Sequence, residues 1–209
     1  MAEFELYCFA QSGNSYKPAL MLELCGADWT PRKVEFMDGE TRTDTYRDVN
    51  VMGEAPVLKH GDLTLSQSGV MLDYLADHFG QFGAENPDEK REIWRWILFD
   101  NHKLTGYTSV LRFMRAFMKT GETPVVEFLD GRARNAYRVL DKHLNGRTWI
   151  VGERLTIADL SLCGYLFFQD EIGIDFAEFE YINAWLDRIR ALDGWKHPYD
   201  LMPGHPLPS

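Results

Sequence analysis

Basic residues are scarce in this chain: 22 Lys and Arg stand against 32 Asp and Glu, a net charge of −10 over 209 residues. A phosphate backbone is held by clustered cations, and no basic stripe interleaved with aromatics occurs, so nucleic acid is not an expected partner. Long hydrophobic runs are missing as well. No stretch approaches the roughly 20 apolar residues that cross a bilayer, and Met1-Ala2-Glu3-Phe4-Glu5 lacks the basic and apolar regions of a signal peptide. No membrane partner and a cytoplasmic location are therefore expected. Cysteine is sparse and odd in number: Cys8, Cys25 and Cys163 are widely spaced in apolar surroundings, which reads as buried thiols. The six histidines form no ligand-spaced pair with Cys or with another His, so no metal is expected.

What is present is an ordinary globular balance, 45% apolar and 26% charged. At this length one large domain or two modest ones can bury a core. The acidity is uneven, with 6 Lys/Arg against 13 Asp/Glu in residues 1–79.

Phe4 to Ala10 is an apolar and aromatic run of strand type, stopped by Gln11-Ser12-Gly13-Asn14. A helix follows, for which Ser15 is a suitable cap, with Pro18 in its first turn and Gly26 at its end. Trp29 to Phe36 reads as a second strand, with Pro31 pointing to a sheet edge. At most a short helix lies between Asp38 and Asn50. Gly61-Asp62, between two short apolar segments, is a hairpin signal. Gln67 to Phe79 is helical, with Val70, Met71, Tyr74, Leu75 and His78 on one face. Residues 1–80 thus read β-α-β-α-β-β-α, 81–87 as a Gly/Pro/Asn-rich linker, and 88–209 as an all-helical domain. In that second part, Asp88 to Lys119 is a long helical stretch with a break expected near Gly106. Val125 to Leu144 is the next helix. Thr156-Ile157-Ala158-Asp159 is a capping box, flanked by Leu155 and Leu160 as a hydrophobic staple, opening a buried helix to about Gln169. A last helix covers about Glu178 to Leu192, and the tail with Pro198, Pro203, Pro206 and Pro208 reads as irregular.

Three places suit ligand chemistry. Ser12-Gly13-Asn14-Ser15 joins a strand to a helix N-terminus, where a hydroxyl or amide can donate to a thiolate and stabilise it; the same residues also suit a turn and a cap. Ala55-Pro56 enters a strand, and a cis bond there would leave backbone groups open to an extended peptide, whereas a trans proline would make an ordinary loop. Ser66-Gln67-Ser68-Gly69 opens a helix whose N–H groups and Ser68 hydroxyl can hold a carboxylate, although Ser66 as a cap fits equally.

Taken jointly, this arrangement resembles the soluble glutathione transferases over essentially the whole chain. The β-α-β-α-β-β-α order with Ala-Pro before the third strand and Gln-Ser opening the next helix matches their thioredoxin-like domain. The linker, the helical second domain and the Thr156–Asp159 box match the rest. Ser12-Gly13-Asn14-Ser15-Tyr16-Lys17 looks like bacterial members with serine-type or threonine/asparagine-type activation. The resemblance implies glutathione as co-substrate, Ser12 as donor to its sulfur and Asn14 as helper. It implies Ala55 and a cis Pro56 beside the cysteinyl part, Gln67 and Ser68 at the γ-glutamyl end, and Arg42 at the glycyl carboxylate. Glu54 stands where many members carry Lys or Gln, and Gln67 where Glu is frequent. The implied electrophile pocket is walled by the first loop, the Asp88–Lys119 stretch and the chain end, with Tyr107, Phe113 and Met114 as candidates. A homodimer is implied too. The activity expected is transfer of glutathione to hydrophobic electrophiles, in a detoxifying role. The alternatives are a glutathione-dependent disulfide reductase or peroxidase at the same site, and a non-catalytic binding module of the same fold.

Overall fold

The computed structural model describes residues 2–207. Met1, Pro208 and Ser209, which the expectations for the two chain ends include, lie outside the described residues. The chain forms two compact units, one of residues up to Gln81 together with those from Leu192 on, the other Phe82–Ala191. The expected boundary at the linker is close to this division. The expected single helical domain from 88 to 209 differs from it, because the last segment groups with the first unit.

The first unit is built on a four-stranded sheet of order β2-β1-β3-β4. β1 (Phe4–Cys8) is central, and all of its side chains but that of Glu5 are buried. β2 (Trp29–Lys33) runs parallel to it at the edge, where Pro31 removes no needed ladder donor. β3 (Val57–His60) and β4 (Leu63–Ser66) are antiparallel, joined by the Gly61-Asp62 turn with Gly61 at φ +56°. Helices α1 (Gly13–Leu24), α2 (Asp44–Val49) and α3 (Ser68–Phe79) complete the thioredoxin-like β-α-β-α-β-β-α order expected from the sequence.

Three local readings are corrected. The cap of α1 is Ser12, not Ser15: its Oγ accepts from the Ser15 N–H at 3.1 Å. The helix therefore starts three residues early and Pro18 lies beyond its first turn, unable to donate to the Asn14 carbonyl. In α3, Val70 is 44% exposed and Leu72 takes a buried place beside Met71 and Leu75. The N-cap of α3 is Gln67, at φ +69°, rather than Ser66.

The second unit is all-helical. α4 (Pro87–Phe99) and α5 (Thr105–Arg112) run on through two π-helical stretches, Asp100–Leu104 and Phe113–Phe117. The expected break near Gly106 is thus a widened turn. A Cβ on Gly106 would stand 3.2 Å from the Asn101 carbonyl, so the missing side chain lets the wide turn close. α6 (Pro124–Leu144) is capped by Thr123. α7 (Ile157–Leu162) is wholly buried but shorter than expected, ending before Gly164. Its capping box is formed, and Leu155 and Leu160 are both buried. α8 (Gln169–Ile172) and α9 (Glu180–Arg190) follow. The tail, expected to be irregular, contains a single-turn helix α10 (Pro198–Leu201) capped by the His197 side chain. No helix among the described residues is long and apolar enough to cross a membrane.

Candidate functional site

Register places three of the expected segments together. Tyr7 pairs with Val57, and Val57 with Ser66. The chain therefore leaves β1, enters β3 and leaves β4 at one end of the sheet. Ser12, Ala55-Pro56 and Gln67-Ser68 all lie at that end, and so do the N-termini of α1 and α3, whose orphan N–H groups favour anionic ligand groups.

Ser12 is only 4% exposed. Its Oγ uses a lone pair on the Ser15 N–H, which leaves the hydroxyl hydrogen available to donate. Asn14 Oδ1 and Ser15 Oγ are buried without a hydrogen-bond partner among the described residues, a costly state that a polar ligand atom would relieve at Asn14. The loop before Ser12 is braced from the chain end: Ala10 N–H donates to the Pro203 carbonyl at 2.8 Å and Gln11 Nε2 to that of Gly204 at 2.6 Å.

The Ala55–Pro56 bond is cis, as the resemblance implies. Among the described residues the Ala55 N–H and C=O have no backbone partner. The preceding Glu54 carbonyl is held by Tyr46 Oη at 3.1 Å and Asn50 Nδ2 at 2.7 Å, so α2 fixes the approach to β3. Glu54 does not stand alone: its Oε2 accepts from Gln67 Nε2 at 3.0 Å. Arg42 ends the 3₁₀ turn Glu40–Arg42, exposed and in no ion pair among the described residues. Ser68 opens α3 and is buried.

Tyr107, Phe113 and Met114 lie in the second unit on α5 and the π stretch after it. Phe113 is exposed and the other two half-buried, so none of the three belongs to a closed core.

The first loop and the chain end, which the resemblance brings to one pocket, meet beside aromatic residues that the sequence reading did not place there. A cleft of about 210 Å³ opens beside Gln11, lined by Phe9, Phe36, Met37, Gly204 and Leu207 among others. Phe9 and Phe36 stack at 4.7 Å. Phe36 lies beyond the end of β2, not within it as the apolar run suggested, and Leu207 arrives only because the tail folds back.

Two of the protein's three thiols are unsuited to the chemistry. Burial pushes Cys8 up to about 12 and Cys25 up to about 11, so neither is a thiolate near neutral pH.

Comparison with known proteins agrees with this geometry. The family model described as glutathione S-transferase, N-terminal domain, matches residues 2–77. That described as glutathione S-transferase, C-terminal domain, matches residues 104–193. A solved structure of a possible glutathione S-transferase from Rhodopseudomonas palustris superposes with a TM-score of 0.89 at 30% identity, over 96% of this chain and 91% of that one. Glutathione S-transferase GST-4.5 of Xanthomonas campestris is 28% identical, over 77% of this chain and 82% of its own. The disulfide-bond oxidoreductase YfcG of Escherichia coli is 25% identical, over 90% of each. Two domain models in the right order, a shared fold and this level of identity over nearly the full chain place the protein in the glutathione S-transferase family.

Proposed function

We propose that this chain is a glutathione transferase of the serine type, in which Ser12, assisted by Asn14, holds the glutathione thiolate and delivers it to a small hydrophobic electrophile. The observation that carries the reading is the convergence at one sheet end of a buried hydroxyl with a free hydrogen, an open Ala55 backbone and two helix N-termini. A donated hydrogen bond favours the charged sulfur and lowers its pKa. The thiolate then forms an S–C bond. In substitution a leaving group departs with its electron pair; in addition the electrons pass into the acceptor, which takes up a proton.

Glutathione lies extended in this reading, its cysteinyl backbone on Ala55 beside Pro56 and its glycyl carboxylate toward Arg42. The γ-glutamyl carboxylate meets Ser68 at the start of α3. Gln67 lacks the negative charge that would attract the glutathione ammonium, and Glu54, drawn to the Gln67 amide, supplies it. Glu54→Gln should accordingly raise KM for glutathione several-fold and leave kcat little changed. The apolar cleft at Phe9 and Phe36 offers hydrophobic contacts of the kind an electrophile needs. No metal takes part in this reaction. Exposed Val51, Met52 and Val70 on the first unit and Leu98 and Val110 on the second support a homodimer.

The deciding experiment is the ultraviolet absorbance of bound glutathione thiolate across pH, in the wild type and in Ser12→Ala. The expected result is a thiolate near neutral pH that forms only at higher pH in the variant. Glutathione bound as a thiol in both proteins would overturn the mechanism, and no binding at all would favour a binding module. A second reading, reduction of disulfides by the same glutathione thiolate, is supported by the similarity to YfcG. There the thiolate attacks one sulfur of the disulfide and expels the other as a thiolate, leaving a mixed disulfide. A second glutathione thiolate attacks the glutathione sulfur of that mixed disulfide, forming glutathione disulfide and expelling the second product thiolate. Parallel assays with a carbon electrophile and a low-molecular-weight disulfide separate the two.

A further inference from the structure

At the other end of the β1–β3 ladder, Phe4 pairs with His60, three residues and about 10 Å along the strands from the Tyr7–Val57 pair. There His60, on the last residue of β3, and His78, in the last turn of α3, turn their Nε2 atoms onto one oxygen of Glu3. His60 Nε2 lies 3.4 Å and His78 Nε2 3.3 Å from Glu3 Oε1, and the three ligand atoms all fall within 4.8 Å of one another. These contacts are longer than the 2.9–3.0 Å of a good N–H···O bond. They fit a tetrahedral ion better: two ligands at about 2.0–2.1 Å from a common centre stand about 3.4 Å apart.

The surroundings suit a metal as well. His60 Nδ1 lies 2.6 Å from Tyr74 Oη; with an ion on Nε2, Nδ1–H donates to that oxygen and orients the ring. Phe4 packs on His60 at 4.4 Å and on His78 at 5.4 Å, while Phe79 meets His78 edge-on at 4.8 Å, so both rings are held in place. The Glu3 and His side chains keep 45%, 25% and 31% of their surface, enough for an ion to enter and for water to complete its coordination. The set of two imidazoles and one carboxylate is borderline in softness, the preference of zinc-type divalent ions and not of magnesium or calcium.

We infer that Glu3, His60 and His78 form a binding site for a divalent transition metal ion of the zinc type, separate from the glutathione site, with a fourth position open to water or a small ligand. When bound, the ion ties the last turn of α3 to the sheet.

The test uses the untagged full chain, stripped with a chelator and titrated calorimetrically with Zn²⁺ alone. One saturable site per chain is expected, at least about 10-fold weaker in His78→Gln and in Glu3→Gln. Tyr74→Phe keeps all three ligands and should weaken binding about 10-fold by freeing the His60 ring. Circular dichroism of the metal-free variants shows whether they remain folded, and Tyr74→Phe serves if a ligand variant does not. The absence of saturable binding, or affinity unchanged in all three variants, would overturn the inference. The outcome is independent of glutathione binding, because no residue is shared.

Discussion

Ser12 has two tasks that can be measured apart. As the cap of α1 it satisfies the Ser15 N–H, and as a proposed donor it holds the sulfur. Ser12→Ala should cost about 1 kcal/mol of stability through the cap. Loss of a hydrogen bond to a charged atom, about 1.5–3 kcal/mol, should lower kcat about 10- to 100-fold. Ser12→Thr keeps both groups and should retain most of each property; a kcat as low as that of the alanine variant would contradict the donor role. Ser15 gives the opposite case. Its Oγ is wholly buried and unpartnered, so Ser15→Ala should stabilise by about 1 kcal/mol, read as a rise of about 2–4 °C in Tm. The identity of the cap was not legible in the sequence. Two serines three positions apart suit the place equally, and a proline confined to the first turn favours the later one. The folded chain instead tolerates Pro18 inside α1 and makes Ser12 the cap.

Among the elements, α7 rests on a single carboxylate. Asp159 is fully buried; its Oδ1 accepts from Ile150 N–H and Trp185 Nε1, both at 2.9 Å, and its Oδ2 from Thr156 N–H at 2.9 Å. The Thr156 hydroxyl donates to Oδ2 as well, at 3.2 Å. Removing the carboxylate strands four buried donors at about 1–3 kcal/mol each, so Asp159→Ala should cost well over the ~1 kcal/mol of a cap alone. Equilibrium urea unfolding measures this. Burial raises the Asp159 pKa to about 6, against the pull of its donors. The folded state then holds the proton more tightly than the unfolded chain, so this group favours folding below about pH 4. Its contribution is lost as the pH climbs to about 6. The stability difference between the wild type and Asp159→Asn should shift against the wild type over that interval, and a pH-independent difference would refute the assignment. The capping box and staple were readable because they are local. The reach of Asp159 to Ile150 and Trp185 was not, since it depends on packing between distant segments. The π stretches flanking α5 likewise leave no signature in hydrophobic periodicity, although Gly106 marks one of them.

For the molecule as a whole, charge and ligand are at odds. Residues 1–79 carry a net charge of −7, and glutathione is itself an anion. Local donors must hold it against that field, so moderate salt should tighten glutathione binding about two-fold by screening the repulsion. A marked loss of affinity with salt would mean that Arg42 and the helix ends dominate instead. The order of elements and the linker were legible because each strand and helix announces itself within some ten residues. The pairing of His60 with His78 was not, because a hairpin and a helix separate them; the return of the tail to the first loop came from the resemblance alone, not from any local pattern. That return has a further consequence for how the protein is made. Gln11 and Gly204 are 193 positions apart, so the loop that presents Ser12 is synthesised long before the residues that brace it. A nascent chain lacks that brace until Pro203 and Gly204 have emerged, and a protease cut ahead of Pro203 would return the mature protein to that unbraced state.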